Sequence, residues 1–268
     1  MALWFLIDSI IQKNRKEMVH LLKLENVNLD LPGEDKPVRI LSEINLAFET
    51  GKMYALTGPN GGGKSSLARV IMGIHQPTQG KIIYNDQDIT GLGITERAQR
   101  GIGYAFQQPP RFKGMQVSDL LNLAKKSEEK RNCSVLHQIG LCPDEYRSRE
   151  LDNSLSGGEM KRIEIATLLA LNPRVRIFDE PEAGIDLWSF NQLIEVIGSS
   201  HTPETITVII SHQEKILNMV DQIALIREGQ VSMIGDRDLI WPQIRESALC
   251  SCRQNCTLEE DTYADCPR

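Results

Sequence analysis

The period of apolar and polar residues changes along the chain, and each period predicts a different element. Residues 18–50 alternate apolar and polar side chains around the loop "PGEDKP", which predicts antiparallel strands. Met53–Thr57 is a short apolar strand that runs into glycines, and the apolar spacing of residues 67–71 then predicts a helix ending at Gly73. The first third therefore combines an antiparallel flank with a strand–loop–helix unit.

The rest of the chain adds a helical region and several buried strands. "KIIYNDQDIT" predicts another strand pair, and residues 117–152 form a charged helical stretch in which Gly140 is a stop. "VRIF" and "ITVIIS" are almost wholly apolar, as is typical of parallel strands buried on both faces. "QIALIREGQVSMIG" predicts a closing hairpin. The predicted fold class is α/β, one core with an antiparallel β flank and a helical subdomain.

Composition narrows the function classes. The chain has 268 residues, 41% of them hydrophobic and 25% charged, with a formal net charge of −6. The acidic balance argues against a nucleic-acid partner, which would require a basic face. The most apolar N-terminal run, residues 3–11, contains Asp8 and is far shorter than the roughly 20 residues that span a bilayer. This run also lacks the positive start and small-residue cleavage site of a secretory signal, so a cytoplasmic location with reduced cysteines is expected.

The same patterns suggest three regions. Residues 1–17 are predicted to be an N-terminal extension, and residues 18–243 the folded domain, with a helical subdomain at about 108–155. Residues 244–268 form a cysteine-rich tail. It contains Cys250, Cys252, Cys256 and Cys266 in the spacing C-x-C-x₃-C-x₉-C. Four thiolates can hold zinc or an iron–sulfur cluster, but this spacing fits none of the usual knuckles, so a reduced tail without metal stays an alternative.

"GPNGGGKSS" carries the clearest chemistry. It matches G-x-x-x-x-G-K-[ST] between a predicted strand and a predicted helix, the pattern of a phosphate-binding loop. Glycines let backbone N–H groups turn toward phosphate oxygens, Lys64 adds a positive charge, and the Ser65 hydroxyl can ligate Mg²⁺. The positions predicted to bind ATP here are Gly58, Pro59, Asn60, Gly61, Gly62, Gly63, Lys64, Ser65 and Ser66.

Two further groups are predicted to meet this loop. Asp179 and Glu180 end the apolar strand in "RVRIFDEPEAGID"; Asp179 could hold Mg²⁺ through water and Glu180 could polarise the attacking water. His212 follows "ITVIIS" and could contact the γ-phosphate, because the carboxyl ends of parallel strands share one edge of the sheet.

A second glycine pair lies at a predicted helix start. In "SLSGGEMKR", Ser156 and Glu159 have the spacing of a capping box, and an apolar helix follows as far as Asn172. A cap needs no Gly157 or Gly158, and each glycine costs about 1 kcal/mol against alanine inside a helix. The pair therefore suggests a helix N-terminus kept bare for an anion.

Taken together, these motifs resemble ABC-type ATP-binding subunits over about residues 20–240. The resemblance adds a Q-loop at Gln107, reads "LSGGE" as the family signature, and assigns "AGID", which ends at Asp186, to the D-loop. It implies a P-loop NTPase (ABC ATPase) core that hydrolyses ATP with Mg²⁺ in a head-to-tail dimer of two copies. Ser156, Gly157, Gly158, Glu159 and Asp186 would contact ATP across the dimer. Lys64, Gln107, Glu180 and His212 would be catalytic, and Ser65, Gln107 and Asp179 would hold the metal.

Within this family, "RELDNSLSGGEMKRIEI" and "AFQQPPRFKGMQV" are most similar to SufC, the ATPase of iron–sulfur cluster assembly. That branch implies a SufB/SufD-type scaffold as partner. Leu155 and Glu182 depart from the SufC pattern, so a transmembrane permease stays the alternative partner, with the chain peripheral to the membrane. A non-catalytic nucleotide-gated module is disfavoured by Glu180 and His212, and a DNA-repair ATPase by the absence of a coiled-coil insert and a basic face.

Overall fold

The computed structural model describes residues 21–124 and 129–248. Its strands are β1 (Leu21–Leu31), β2 (Val38–Glu49), β3 (Met53–Thr57), β4 (Gln79–Tyr84), β5 (Gln87–Asp88), β6 (Ile102–Ala105), β7 (Phe112–Gln116), β8 (Glu150–Leu151), β9 (Val175–Asp179), β10 (Ile206–Ile210), β11 (Gln222–Arg227) and β12 (Gln230–Asp236). Its helices are α1 (Lys64–Met72), α2 (Ile94–Gln99), α3 (Val117–Ala124), α4 (Glu129–Gln138), α5 (Pro143–Tyr146), α6 (Gly157–Leu171), α7 (Leu187–Ser200), α8 (Glu214–Leu217) and α9 (Arg237–Ala248).

The strands form the two sheets that the sequence pattern predicts. The antiparallel sheet has the order β2-β1-β4-β5, and the central sheet has the order β12-β11-β3-β10-β9-β6. In the central sheet β10 pairs in parallel with β3 and β9, while β12 returns antiparallel to β11 as the predicted hairpin. The short pair β7–β8 within the helical region was not predicted; it joins segments about 35 residues apart along the chain, which no local pattern can indicate.

The central strands are apolar throughout because both faces of the sheet are covered. In β3, Tyr54 and Leu56 belong to the core shared with α1 and the antiparallel sheet. Met53 and Ala55 point the other way, into the core shared with α6 and α7. Since side chains of a strand alternate between its two faces, a sheet between two layers needs apolar residues at every position. This sandwich positions the carboxyl ends of β3, β9 and β10 at one edge.

A buried arginine binds the C-terminal end of α1. Arg97 is fully buried, and its guanidinium donates to the carbonyl oxygens of Val70 at 2.6 Å and Ile71 at 2.8 Å. These carbonyls belong to the last turn of α1, where the usual helical donors are missing, although the Val70 carbonyl also accepts from the Gly73 N–H at 3.1 Å. Burial lowers the pKa of Arg97 to about 10, so the side chain remains a cation at neutral pH. Arg97 therefore anchors the far end of the helix that begins in the glycine-rich loop.

The described residues cover the three predicted regions only in part. The extension at residues 1–17 and the four tail cysteines lie outside the described residues. The predicted boundary between residues 243 and 244 falls inside α9, which continues to Ala248, and the division into regions stays a prediction. In the part of the chain that the structure describes, no helix combines the length and apolarity required to span a membrane.

Candidate functional site

The glycine-rich loop needs its glycines for two different reasons. Gly63 immediately precedes α1 with φ 102°, a left-handed conformation that residues with a Cβ rarely adopt. At Gly58, a Cβ would lie 2.0 Å from the carbonyl oxygen of Ile226 in β11, which is closer than any real contact. The loop therefore bends sharply against the sheet immediately before α1 begins.

Lys64 is the first residue of α1 and is largely buried. Its Nζ donates to the carbonyl oxygens of Gly58 at 2.9 Å and Pro59 at 2.8 Å, so the side chain folds back over the loop. Burial lowers the pKa of Lys64, while the nearby carboxylates of Glu180 and Asp179 act in the opposite direction. The ammonium group thus lies inside the loop and close to the acidic end of β9.

Asp179 is completely buried at the end of β9. Its Oδ1 accepts a hydrogen bond from Ser65 Oγ at 3.0 Å, and its Oδ2 accepts one from the Tyr104 hydroxyl at 2.5 Å. Burial, together with the neighbouring Asp179 charge, raises the pKa of Tyr104, so the phenol stays protonated and donates. The predicted partnership of Asp179 with the loop serine is therefore present, and Tyr104 on β6 is an additional member.

Glu180 adopts an unusual backbone conformation directly after Asp179. Its φ is 44°, in the left-handed region, and its N–H donates to the carbonyl oxygen of Ile210 in β10 at 3.0 Å. The Gln107 side chain donates from Nε2 to Glu180 Oε2 at 2.7 Å. The structure thus brings two of the four predicted catalytic side chains, Gln107 and Glu180, into direct contact.

These residues surround a cavity of about 400 Å³ at the carboxyl edge of the sheet. Its lining consists of Ile40, Asn60, Gly61, Gly63, Lys64, Ser65, Ser66, Gln107, Glu180 and His212. The predicted loop, Q-loop, strand-end carboxylate and histidine therefore share one site. Ile40 from the antiparallel sheet supplies the apolar wall of the cavity. Phe48, the aromatic residue of β2, does not line it, because its ring is buried in the core against Tyr54.

The donor set at Asp179 fits a magnesium ion. A hydroxyl and a carboxylate are hard oxygen ligands, and Mg²⁺ in nucleotide sites takes only one or two such groups beside phosphates and water. No cluster of three or more His, Cys, Asp or Glu side chains suited to a metal occurs among the described residues. Ser65 and Asp179 are the residues that would hold the ion, and Gln107 stays a predicted third.

The signature helix lies outside this cavity within the chain. Ser156 caps α6: its N–H donates to Glu159 Oε2 at 2.7 Å, and the Glu159 N–H donates to Ser156 Oγ at 3.2 Å. This is the predicted capping box. The Tyr146 hydroxyl donates to the other carboxylate oxygen, Glu159 Oε1, and Arg149 Nη1 lies 3.2 Å from that oxygen. Glu159 is therefore held on both oxygens, a role in the fold that the sequence showed only in part.

Stability should fall in acid through Glu159. Burial alone would raise its pKa from 4.5, but the hydrogen bonds from Tyr146 and Ser156 lower it to about 2. A depressed folded pKa gives stability that is complete above pH 4.5 and is lost as the pH falls toward 2, up to roughly 3 kcal/mol. Replacing Glu159 with glutamine should flatten the pH dependence of the unfolding free energy in this window. An unchanged slope in denaturant titrations at pH 3 to 6 would contradict this assignment.

The two signature glycines differ in their surroundings. A Cβ at Gly158 would lie 2.8 Å from the carbonyl oxygen of Gly184, so the D-loop packs directly against the signature. A Cβ at Gly157 would meet nothing within 4 Å in the described chain. Asp186 caps α7 by accepting from the N–H groups of Trp188 and Ser189, both at 3.0 Å. The predicted role of Asp186 toward ATP stays a prediction.

Lys161 and Glu164 on α6 are site residues that sequence reasoning missed. Lys161 is almost fully buried, and its Nζ donates to the carbonyl oxygens of Asp179, at 2.8 Å, and Phe106. The Phe106 N–H donates to Glu164 at 2.8 Å. The signature helix α6 therefore forms hydrogen bonds both with Phe106, the residue before Gln107, and with the end of β9. The only sequence signal was a charged pair on an otherwise apolar helix face, which by itself is ordinary.

Comparison with known proteins agrees with this arrangement. The family described as ABC transporter matches residues 41–183. The chain is 36% identical over 228 residues to an uncharacterized ABC transporter ATP-binding protein of Methanocaldococcus jannaschii, covering 81% of this chain and 90% of the relative. It is 31% identical over 237 residues to a probable ATP-dependent transporter of Synechocystis sp., covering 82% and 91%.

Solved structures show the same fold. One is a dimeric post-hydrolysis state of an ATP-binding cassette bound to ADP and Pi, with a TM-score of 0.73 and 23% identity over 81% of this chain and 98% of that one. The fold and the site thus define a P-loop ATPase. More particularly, the chain belongs to the ABC transporter family, as an ATP-binding subunit with an ABC ATPase domain.

Proposed function

We propose that two copies of this chain bind ATP head to tail, each with Mg²⁺, and that hydrolysis drives a conformational change in a partner protein. The observation that carries the proposal is the single cavity in which Lys64, Glu180 and His212 converge. A cation, a base and a γ-phosphate contact are the groups that phosphoryl transfer to water requires.

Each group has a distinct task in this mechanism. The N–H groups at the start of α1 and the Lys64 ammonium bind the phosphates and stabilise their negative charge. The Glu180 carboxylate accepts a proton from the attacking water, and His212 contacts the γ-phosphate. Bound at Ser65 and Asp179, with Gln107 as a third ligand, Mg²⁺ would neutralise phosphate charge. Gln107 orients Glu180 in the present structure by donating to it.

Surface features support the second copy as the partner across the nucleotide. Gly157 faces open space, although it starts a helix where alanine would be more favourable. Close by, Leu187 and Trp188 follow the D-loop with 68% and 82% of their surface exposed. A bare helix N-terminus beside two exposed apolar side chains is expected at a surface that another subunit covers.

Replacing Gly157 with alanine should separate fold stability from catalysis. In the single chain the new methyl group has room, so the free energy of unfolding should stay equal or rise by up to about 1 kcal/mol. If a phosphate from the second copy approaches this helix start, the methyl group will obstruct it and lower ATP turnover by about 10-fold or more. Chemical denaturation and a phosphate-release assay measure the two effects.

Gly91 provides the matched control. A Cβ there also meets nothing within 4 Å, and its backbone is not left-handed, so Gly91→Ala should leave turnover unchanged. Full turnover in Gly157→Ala would contradict the head-to-tail arrangement. Gly158→Ala is a poor test, because its methyl group would strike Gly184 within the same chain.

For the partner, we propose a soluble SufB/SufD-type scaffold. The support is the similarity of the signature region to SufC and a groove of about 630 Å³ beside Gln107. Phe106, Phe112 and Leu171 line this groove and are 38%, 40% and 55% exposed, so it offers an apolar surface next to the catalytic loop. A transmembrane permease is the second candidate, favoured by the names of two relatives, an uncharacterized ABC transporter ATP-binding protein and a probable ATP-dependent transporter.

Affinity purification from the native host with mass spectrometry tests the partner. Recovery of a SufB/SufD-like protein supports the proposal, and recovery of an integral membrane protein supports the permease. In either case Leu171→Glu should abolish recovery while ATP binding persists. Leu239→Glu is the matched control, since Leu239 is also exposed, at 65%, but lies on α9 outside the groove.

A further inference from the structure

Glu182 is a half-buried carboxylate next to the site that the mechanism above does not use. Its Oε1 accepts a hydrogen bond from Ser211 Oγ at 2.5 Å. Its Oε2 is buried and has no hydrogen-bond partner among the residues that the structure describes. Burial raises the pKa of Glu182, against the opposing effect of the Ser211 hydrogen bond. A carboxylate that is costly to bury and only partly satisfied calls for a role beyond packing.

Ser211 connects this carboxylate to the switch histidine. The Ser211 N–H donates to the Leu56 carbonyl at 3.2 Å, so its backbone is attached to β3. Its Oγ accepts from the N–H of Gln213 at 3.0 Å, which closes the turn around His212. His212 is itself exposed and lines the nucleotide cavity. The Ser211 hydroxyl thus bonds both to Glu182 and to the backbone of the turn that contains His212.

The backbone of Glu182 lies in the same short turn as the proposed catalytic base, Glu180. Glu180, two residues earlier, donates its N–H to Ile210 and accepts at its carbonyl from the Ala183 N–H, both at 3.0 Å. This short turn fixes the left-handed Glu180 backbone and the position of Glu182 together. Glu182 and Ser211 therefore form a side-chain link between the loop after β9 and the loop after β10.

We propose that Glu182 is a positioning residue for ATP hydrolysis, which acts through Ser211 to hold His212 at a fixed place relative to Glu180. The inference rests on the proposed function, because it concerns the same reaction.

Steady-state ATPase kinetics with three variants test the role. Glu182→Ala and Ser211→Ala should each lower kcat by about 10-fold while KM for ATP changes less than about 3-fold, because nucleotide contacts are untouched. Glu182→Gln keeps an oxygen that can accept from Ser211 and should retain kcat within about 3-fold of the unaltered chain. Glu204→Gln, an exposed glutamate elsewhere, serves as the control and should not change kcat.

A double variant decides whether the effect passes through His212. If it does, adding Glu182→Ala to His212→Ala should lower kcat by less than about 2-fold further, since coupled residues are not additive. Losses that multiply, an unchanged kcat in Glu182→Ala, or an equal loss for Glu182→Ala and Glu182→Gln would each overturn the positioning role while leaving hydrolysis itself intact. An unaltered chain that hydrolyses no ATP would instead overturn the proposed function and the inference together.

Discussion

Replacing Glu180 with glutamine is expected to reduce ATP turnover by about 10²- to 10⁴-fold, the range that a positioned general base contributes. ATP binding should persist, because the phosphate contacts come from the loop and Lys64. An amide has nearly the same shape, and its oxygen can still accept the hydrogen bond that Gln107 now donates to Glu180 at 2.7 Å. What is lost is the capacity to take a proton from water.

The same variant should accumulate as an ATP-bound dimer. If hydrolysis separates the two copies, blocking the chemical step traps the closed state, because each ATP contacts both subunits. Size-exclusion chromatography with and without ATP measures this shift, and a single-turnover assay measures the rate. Glu195→Gln, an exposed glutamate on α7, is the control and should behave as the unaltered chain. Unchanged turnover in Glu180→Gln would refute the role of Glu180.

Replacing Lys64 with alanine should weaken ATP binding by about 10²-fold or more, because hydrogen bonds from a cation contribute roughly 1.5–3 kcal/mol each. The ammonium group now donates to two loop carbonyls, Gly58 and Pro59. Losing it removes a phosphate contact and leaves the loop without the side chain that braces it. Fluorescent-nucleotide titration measures the affinity.

Two further variants separate charge from geometry at this position. Lys64→Arg keeps the positive charge, but its planar guanidinium cannot reproduce the compact ammonium inside the loop, so it should also bind ATP poorly. Lys36→Ala, in an exposed loop, is the control and should bind normally. Tight ATP binding by Lys64→Ala would contradict the assignment of the glycine-rich loop as the phosphate site.

Local sequence patterns were sufficient to predict the elements that depend on interactions between residues close together in the sequence. The strand Met53–Thr57, the glycine loop and the helix start at Ser156 each depend on side chains a few residues apart. Their conformations follow from periodicity, glycine backbone freedom and capping chemistry, which operate over one or two turns. That β9 and β10 are parallel strands of one buried sheet was likewise expected, because almost wholly apolar strands are typical of parallel sheets covered on both faces.

Long-range side-chain contacts were not predictable in the same way. Tyr104 donates to Asp179 across 75 positions of sequence, and Lys161 reaches the Phe106 carbonyl across 55. A tyrosine on an apolar strand and a lysine on a helix are ordinary by pattern alone. Their partners depend on which strands lie side by side, and that order is a property of the whole sheet.

The amino-acid sequence by itself determined the class of chemistry in this protein: a phosphate loop, a strand ending in two carboxylates, and a helix start bare enough for an anion. These are local, because backbone conformation and charge at neighbouring residues decide them. Only the tertiary structure decided which groups share one cavity, that Gly157 faces open space while Gly158 packs on Gly184, and that Glu182 connects to the histidine turn through Ser211. Those relations arise where strands distant along the chain end at the same edge of the sheet.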